Sequence, residues 1–208
     1  LAQALRARGL RSGDRVASLL HNRGEVFELY FACAYAGLTF VPLSFRLTPH
    51  ELGRVVADCE PRAVFVSDEL EENGREALAA AGSRAAVVVL REEVHGEDYE
   101  AMVETPIRRS EHTDVQMILY TSGTTGVPKG VTFTHLGVLW NAFEETVHMR
   151  IHRRSRVLVN APLFNTAGIN EFSIPALFAG ATVGIMPSRG WSVARWAEHV
   201  ERWRIDNC

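Results

Sequence analysis

The run Tyr120-Thr-Ser-Gly-Thr-Thr-Gly-Val-Pro-Lys-Gly-Val131 gathers groups able to hold an anion. Gly123 and Gly126 permit tight turns that bring backbone N–H groups close to a ligand. Thr121, Ser122, Thr124 and Thr125 offer four hydroxyl donors within five residues. Lys129 adds a positive charge suited to phosphate oxygens, and Pro128 stiffens the exit. The loop is not a Walker A motif, because Val127 and Pro128 separate Gly126 from Lys129 where that motif needs them adjacent, and it is not a dinucleotide fingerprint. A polar hairpin turn is the other reading of a Gly/Ser/Thr-rich stretch. The presence of every one of these residue types behind an apolar strand favours phosphate binding. His148 and His152 stand four apart, but Arg150, Arg153 and Arg154 surround them, so a solvated basic face is expected there and no metal site.

The elements that must position this loop alternate. A short helix over 1–9 leads into a strand at Arg15–Leu20. Glu25–Ala36 is apolar almost all round, which predicts a buried helix closed by Gly37. A strand is expected at Leu38–Leu43. Thr48, Pro49 and Glu51 then form a capping box with proline at the first helical position, opening a helix to about Cys59. Strands at Ala63–Ser67 and Ala85–Leu90 flank a helix at Glu69–Ala81. Residues 91–112 are charged and lack periodicity, as a surface connection would. A strand at Val115–Tyr120 precedes the loop, a helix at Leu136–Val147 follows it, and a strand is expected at Val157–Ala161. A helix over Ile169–Phe178, interrupted by Pro175, leads to a strand at Ala181–Met186. In the last helix Val193, Trp196, Ala197, Val200 and Trp203 repeat at helical spacing, which predicts a core-facing stripe. The alternation predicts an α/β fold with a mostly parallel sheet flanked by helices, in two subregions, about 1–112 and 113–208.

Composition narrows the function classes. The chain has 208 residues, 47% hydrophobic and 23% charged, with a net charge of −3. That is enough chain to bury roughly 70% of its unfolded surface without metal or disulfides. The balance of charge excludes a basic nucleic-acid surface or a polybasic anchor. No apolar run is long enough to span a membrane. Cys33, Cys59 and Cys208 are widely spaced and odd in number, which argues for a reducing, cytoplasmic setting.

The loop resembles the signature of adenylate-forming (AMP-binding) enzymes: acyl-CoA synthetases, luciferases and the adenylation domains of peptide synthetases. Other segments share the resemblance. Gly13-Asp-Arg-Val16 is similar to the family's early turn, and Gly37 to Leu43 to its strand ending in Val-Pro-Leu. Ala161-Pro-Leu-Phe164 and Gly180-Ala-Thr-Val183 resemble later segments. The resemblance implies that a carboxylate attacks the α-phosphate of ATP to give acyl-AMP and pyrophosphate, after which a thiol such as coenzyme A displaces AMP. It also implies that Thr121, Ser122, Gly123, Thr124, Thr125, Gly126 and Lys129 embrace the departing pyrophosphate, with Lys129 and Thr124 as the catalytic pair. Relatives usually carry a histidine after the aromatic residue of the Pro-Leu-Phe segment. Asn165 stands there in this chain and cannot titrate near neutral pH. Asn165, Thr166, Ala167 and Gly168 are the implied substrate-pocket residues, although Asn165 could instead cap the following helix.

Several family segments do not occur in the sequence: the Y-G-x-T-E segment that holds adenine and helps hold Mg2+, the T-G-D segment for ribose, and the small C-terminal domain. The expected organisation is therefore a partial N-terminal AMP-binding domain over 1–208, inactive by itself, with the Mg2+ ligands outside it. The implied parent is an acid–CoA ligase for a fatty or aromatic acid. The alternatives are an amino-acid adenylation domain, disfavoured by the lack of Asp near Phe164–Asn165, and a non-catalytic nucleotide-binding module.

Overall fold

The computed structural model describes residues 1–91, 110–121 and 128–208, so most of the expected 91–112 connection lies outside the described residues. The chain forms two units: residues 1–20 with 25–135, and residues 21–24 with 136–208.

The first unit is built on a six-stranded sheet. Its strands are β1 (Arg15–Leu19), β2 (Thr39–Pro42), β3 (Ala63–Ser67), β4 (Ala86–Leu90), β5 (Val115–Thr121) and β6 (Lys129–Thr134), in the order β4-β3-β1-β2-β5-β6. Every pair is parallel except β5–β6. β2 and β3 are buried along their whole length, as the continuous apolar runs of strands covered on both faces require. The helices are α1 (Ala2–Ala7), α2 (Glu25–Ala36), α3 (Pro49–Cys59) and α4 (Glu71–Ala80). Residues of α3, α4, β1 and β3 share one apolar core that includes Leu52, Val55, Cys59, Val64 and Leu78. The expected capping box is present: Thr48 Oγ1 accepts the Glu51 N–H at 3.3 Å, and the Glu51 carboxylate accepts the Thr48 N–H at 2.8 Å.

The alternation fails at one place. Between β5 and the following helix the sequence reading placed no strand, yet β6 folds straight back on β5 as an antiparallel partner. The signal was present in Val131-Thr-Phe-Thr134, where apolar and polar residues alternate, but the Pro-Lys-Gly preceding it reads as loop.

The second unit contains α5 (His135–His148, from Leu136 onward), β7 (Arg156–Val159), α6 (Ile174–Phe178), β8 (Thr182–Ile185) and α7 (Val193–Trp203). β7 and β8 pair in parallel, and Asn207 adds a parallel bridge to Val157. The helix expected over Ile169–Phe178 is instead a π-helical stretch, Ala167–Ser173, running into α6. Pro175 does not interrupt it. It is the second residue of α6, where the π-helical stretch gives way to α-helix. The α7 stripe is only half covered. None of its residues is fully buried and Val193 is 68% exposed, because the helix leans on a narrow two-stranded sheet, with Trp203 against Gly184. No helix among the described residues is long and apolar enough to cross a membrane.

Arg15 ties the start of β1 to the end of α3. Its Nε donates to Cys59 O at 2.6 Å and its Nη2 to Glu60 O at 2.9 Å, carbonyls that the helix leaves without internal partners. Its ion pair with the Glu60 carboxylate, at 3.7 Å, involves a side chain 79% exposed. Exposed pairs contribute little, whereas orphaned carbonyls are costly. Arg15→Met should therefore lower stability by about 1–3 kcal/mol. Glu60→Gln should change it by less than about 0.5 kcal/mol. Urea denaturation of both variants checks this; equal losses would assign the effect to the ion pair instead.

Candidate functional site

The loop implicated in phosphate binding is carried at the tip of the β5–β6 hairpin. The register pairs Leu119 with Val131, Tyr120 with Gly130, and Thr121 with Lys129. Thr121 and Lys129 therefore face each other across the last rung, and both are exposed. Ser122, Gly123, Thr124, Thr125 and Gly126 lie outside the described residues. Thr121 ends β5, which runs parallel to β2, and in open α/β sheets ligands bind beyond the carboxyl ends of such strands. Directly paired residues share one face of a ladder, so the lysine and the hydroxyl stand on the same side of the hairpin.

Tyr120, one residue before the loop, turns towards α3. It packs with Ile118 against the core that contains Cys59, and its hydroxyl donates to the Asp58 carboxylate. Burial and then the Asp58 hydrogen bond raise its pKa, so the phenol stays protonated and donating. Burial pushes the Cys59 thiol up to about 12, which keeps it neutral. His135 opens α5, and its backbone N–H donates to Asp114 O at 3.1 Å. Burial lowers its pKa, the Asp114 charge opposes this, and His112 adds to the lowering.

In the second unit, Asn165, Thr166, Ala167 and Gly168 are brought together in the turn that enters the π-helical stretch. Asn165 Oδ1 accepts the Gly168 N–H at 3.0 Å, which is a helix-capping bond and the alternative role that the sequence left open. Gly168 is required by a close approach: a Cβ there would lie 2.2 Å from Pro162 O, and backbone cannot yield as a flexible side chain would. Ser173 Oγ donates to Gly168 O across the wide turn. Isolated π turns are frequent at functional sites because they displace side chains from the ordinary helical face. No group of three or more His, Cys, Asp or Glu among the described residues could hold a metal.

One residue that fixes this segment escaped the sequence reading. Asn22 Nδ2 donates to Ala161 O at 2.9 Å and to Met186 O at 3.2 Å, and its Oδ1 accepts the Leu163 N–H at 2.9 Å. Its own N–H donates to Ser188 Oγ at 2.7 Å. The side chain thus joins the chain leaving β7, the chain leaving β8 and the start of the Pro-Leu-Phe-Asn turn. No local pattern marks such a residue, since all its partners are distant in sequence. Asn22→Ala should destabilise the protein by about 1–3 kcal/mol. Asn22→Asp should cost more at neutral pH, because it sets a carboxylate oxygen against two carbonyls. Thermal melts of the two variants test the ordering, and equal small effects would mean that the amide only fills space.

The sequence matches the AMP-binding enzyme family over residues 1–207. A feruloyl-CoA synthase from Amycolatopsis sp is 39% identical over 183 residues, covering 88% of this chain and 36% of that protein. The indoleacetate–CoA ligase of Aromatoleum aromaticum is 36% identical over 197 residues, covering 90% of this chain and 38% of its own. The chain thus spans well under half the length of these curated relatives. Among solved structures, the inhibitor-bound N-terminal domain of FACL13 from Mycobacterium tuberculosis superposes with a TM-score of 0.84 at 28% identity, covering 98% of this chain and 51% of that one. ATP-bound MatB from Rhodopseudomonas palustris gives 0.82 at 28% identity, covering 97% and 40%. With the family match running almost end to end and the sheet, hairpin and loop stem arranged as described, the chain belongs to the AMP-binding enzyme family.

Proposed function

We propose that the 208 residues are part of the N-terminal AMP-binding domain of an ATP-dependent acid–CoA ligase. The observation that carries this reading is the Thr121–Lys129 rung, which sets a hydroxyl and a cation at the roots of a glycine- and hydroxyl-rich loop. A carboxylate oxygen attacks the α-phosphorus of ATP as the bond to the β-phosphate oxygen breaks, leaving acyl-AMP and pyrophosphate. The thiol sulfur of coenzyme A then attacks the acyl carbonyl, and AMP departs. Negative charge builds on the leaving pyrophosphate, and preplaced donors aimed there lower the barrier. Lys129, Thr121, Ser122, Gly123, Thr124, Thr125 and Gly126 are the proposed donors, with Lys129 and Thr124 closest to the chemistry.

Asn165, Thr166, Ala167 and Gly168 are proposed to line the carboxylic-acid site. With a neutral amide in place of an imidazole, they would give a site whose polarity does not change around neutral pH. The feruloyl-CoA and indoleacetate relatives support an aromatic acid ahead of a fatty acid. Mg2+ would be held by residues outside the described ones or by the nucleotide itself. The three cysteines, none of them in a disulfide, support a cytoplasmic setting.

Carboxylate-dependent ATP–pyrophosphate exchange by the full-length enzyme, across a panel of aromatic, fatty and amino acids, tests the reading. Exchange is expected with aromatic or fatty acids, and none from the 208 residues alone. Exchange confined to amino acids, or ATP binding with no exchange, would replace it. Lys129→Ala should slow exchange by roughly 10²–10³-fold. Unchanged exchange kinetics would remove Lys129 from the pyrophosphate site.

A further inference from the structure

We infer that Asp58 is a positioning residue for the phosphate loop, acting through the Tyr120 hydroxyl on both strands of the loop stem. The inference rests on the reading of that loop as a phosphate site, and its geometry lies wholly within the first unit. Tyr120 is bonded covalently to Thr121, where the loop departs. Its partner across the ladder is Gly130, next to Lys129, where the loop returns. A Cβ at Gly130 would stand 3.1 Å from Tyr120 Cζ and 2.9 Å from Ile118 Cγ2. The Tyr120 ring therefore covers bare backbone on the return strand. Tyr120 is thus joined to the outgoing root by the chain and lies against Gly130 beside the returning root, and its hydroxyl anchors it to α3 through Asp58.

Asp58 has no place in the helix on local grounds. It is exposed in the last turn of α3, where the helix dipole disfavours a carboxylate. Packing cannot account for it either, since the core residues beside it are Val55, Val56 and Cys59. The hydrogen bond accounts for it. An ionised carboxylate is an acceptor only, and a phenol is its natural donor. The ring is thus held at its foot by the chain, along its side by the α3 core, and at its tip, the Cζ–Oη end, by Gly130 and Asp58. Without the tip the ring can swing on its χ1, and the Thr121–Lys129 rung loses its brace.

Backbone hydrogen exchange and steady-state kinetics, both on the full-length enzyme, test this separately. Tyr120→Phe and Asp58→Ala should each speed exchange across Val115–Thr121 and Lys129–Thr134 by about three- to tenfold, with exchange across β3 unchanged. The double variant should be no worse than either single one. Asp58→Asn keeps an acceptor oxygen and should lie close to the unsubstituted protein. In the full-length enzyme, Tyr120→Phe and Asp58→Ala should raise KM for ATP by a similar factor and leave KM for the carboxylic acid unchanged. Unaltered stem exchange in Tyr120→Phe would overturn the inference, as would equal acceleration across β3 or an Asp58→Asn as impaired as Asp58→Ala. Absence of carboxylate-dependent exchange in the unsubstituted enzyme would overturn the ligase reading alone, and the hydrogen-exchange arm would still decide the role of Asp58.

Discussion

The Thr121–Lys129 rung constrains more than the loop it closes. Strand pairing has a period of two, so a slip of one residue in β5 would carry Tyr120 and Ile118 off the α3 core and turn Thr121 towards it. Burial of Met117 and Leu119 on one face, with Ile118 and Tyr120 packed against the α3 core on the other, therefore fixes the register, and the register fixes which residues stand at the loop's roots. The same pairing explains why an otherwise parallel sheet tolerates an antiparallel edge. A parallel partner for β5 would need a crossover of a dozen or so residues, and that would separate the hydroxyl from the lysine. A hairpin keeps both on one rung.

The second unit meets a different demand. The chain leaving β7 turns sharply through Pro162 and Leu163, and such turns leave backbone groups without ladder partners. Asn22 and the Asn165 cap take up several of them, and Gly168 removes the side chain that would collide with the Pro162 carbonyl. The π-helical stretch then carries the chain into Pro175 at the opening of α6. The substrate-side candidates thus sit on backbone whose shape is set by polar satisfaction more than by apolar packing.

What could be read from the sequence was what is local. The Thr48–Glu51 capping box, the buried run of α2 and the bounds of β3 follow from neighbouring residues, and the structure places them as expected. The glycines, hydroxyls and lysine of the loop were legible by type in the same way, and the structure describes its two roots, Thr121 and Lys129. β6 was hidden because its first residues, Lys129 and Gly130, carry the composition of a loop, and Gly130 is there for a ring that only the fold brings over it. Asn22 was hidden because its partners are far along the chain. The α7 stripe was correctly periodic, but periodicity reports which face is apolar, not how much of it the described residues cover.

Residues His21–Gly24 belong to the second unit while the residues on either side of them belong to the first. Asn22 must close against groups 139 to 164 residues further along the chain. Joining such distant points in a flexible chain carries a configurational cost that rises with the logarithm of the separation. Once the described strands and helices of the first unit are ordered, part of that path is no longer free to wander. Order in the sheet of the first unit is thereby converted into a smaller entropic penalty for the second. The asparagine's bonds all fall within the second unit, so the closure it makes is long in sequence and local in space.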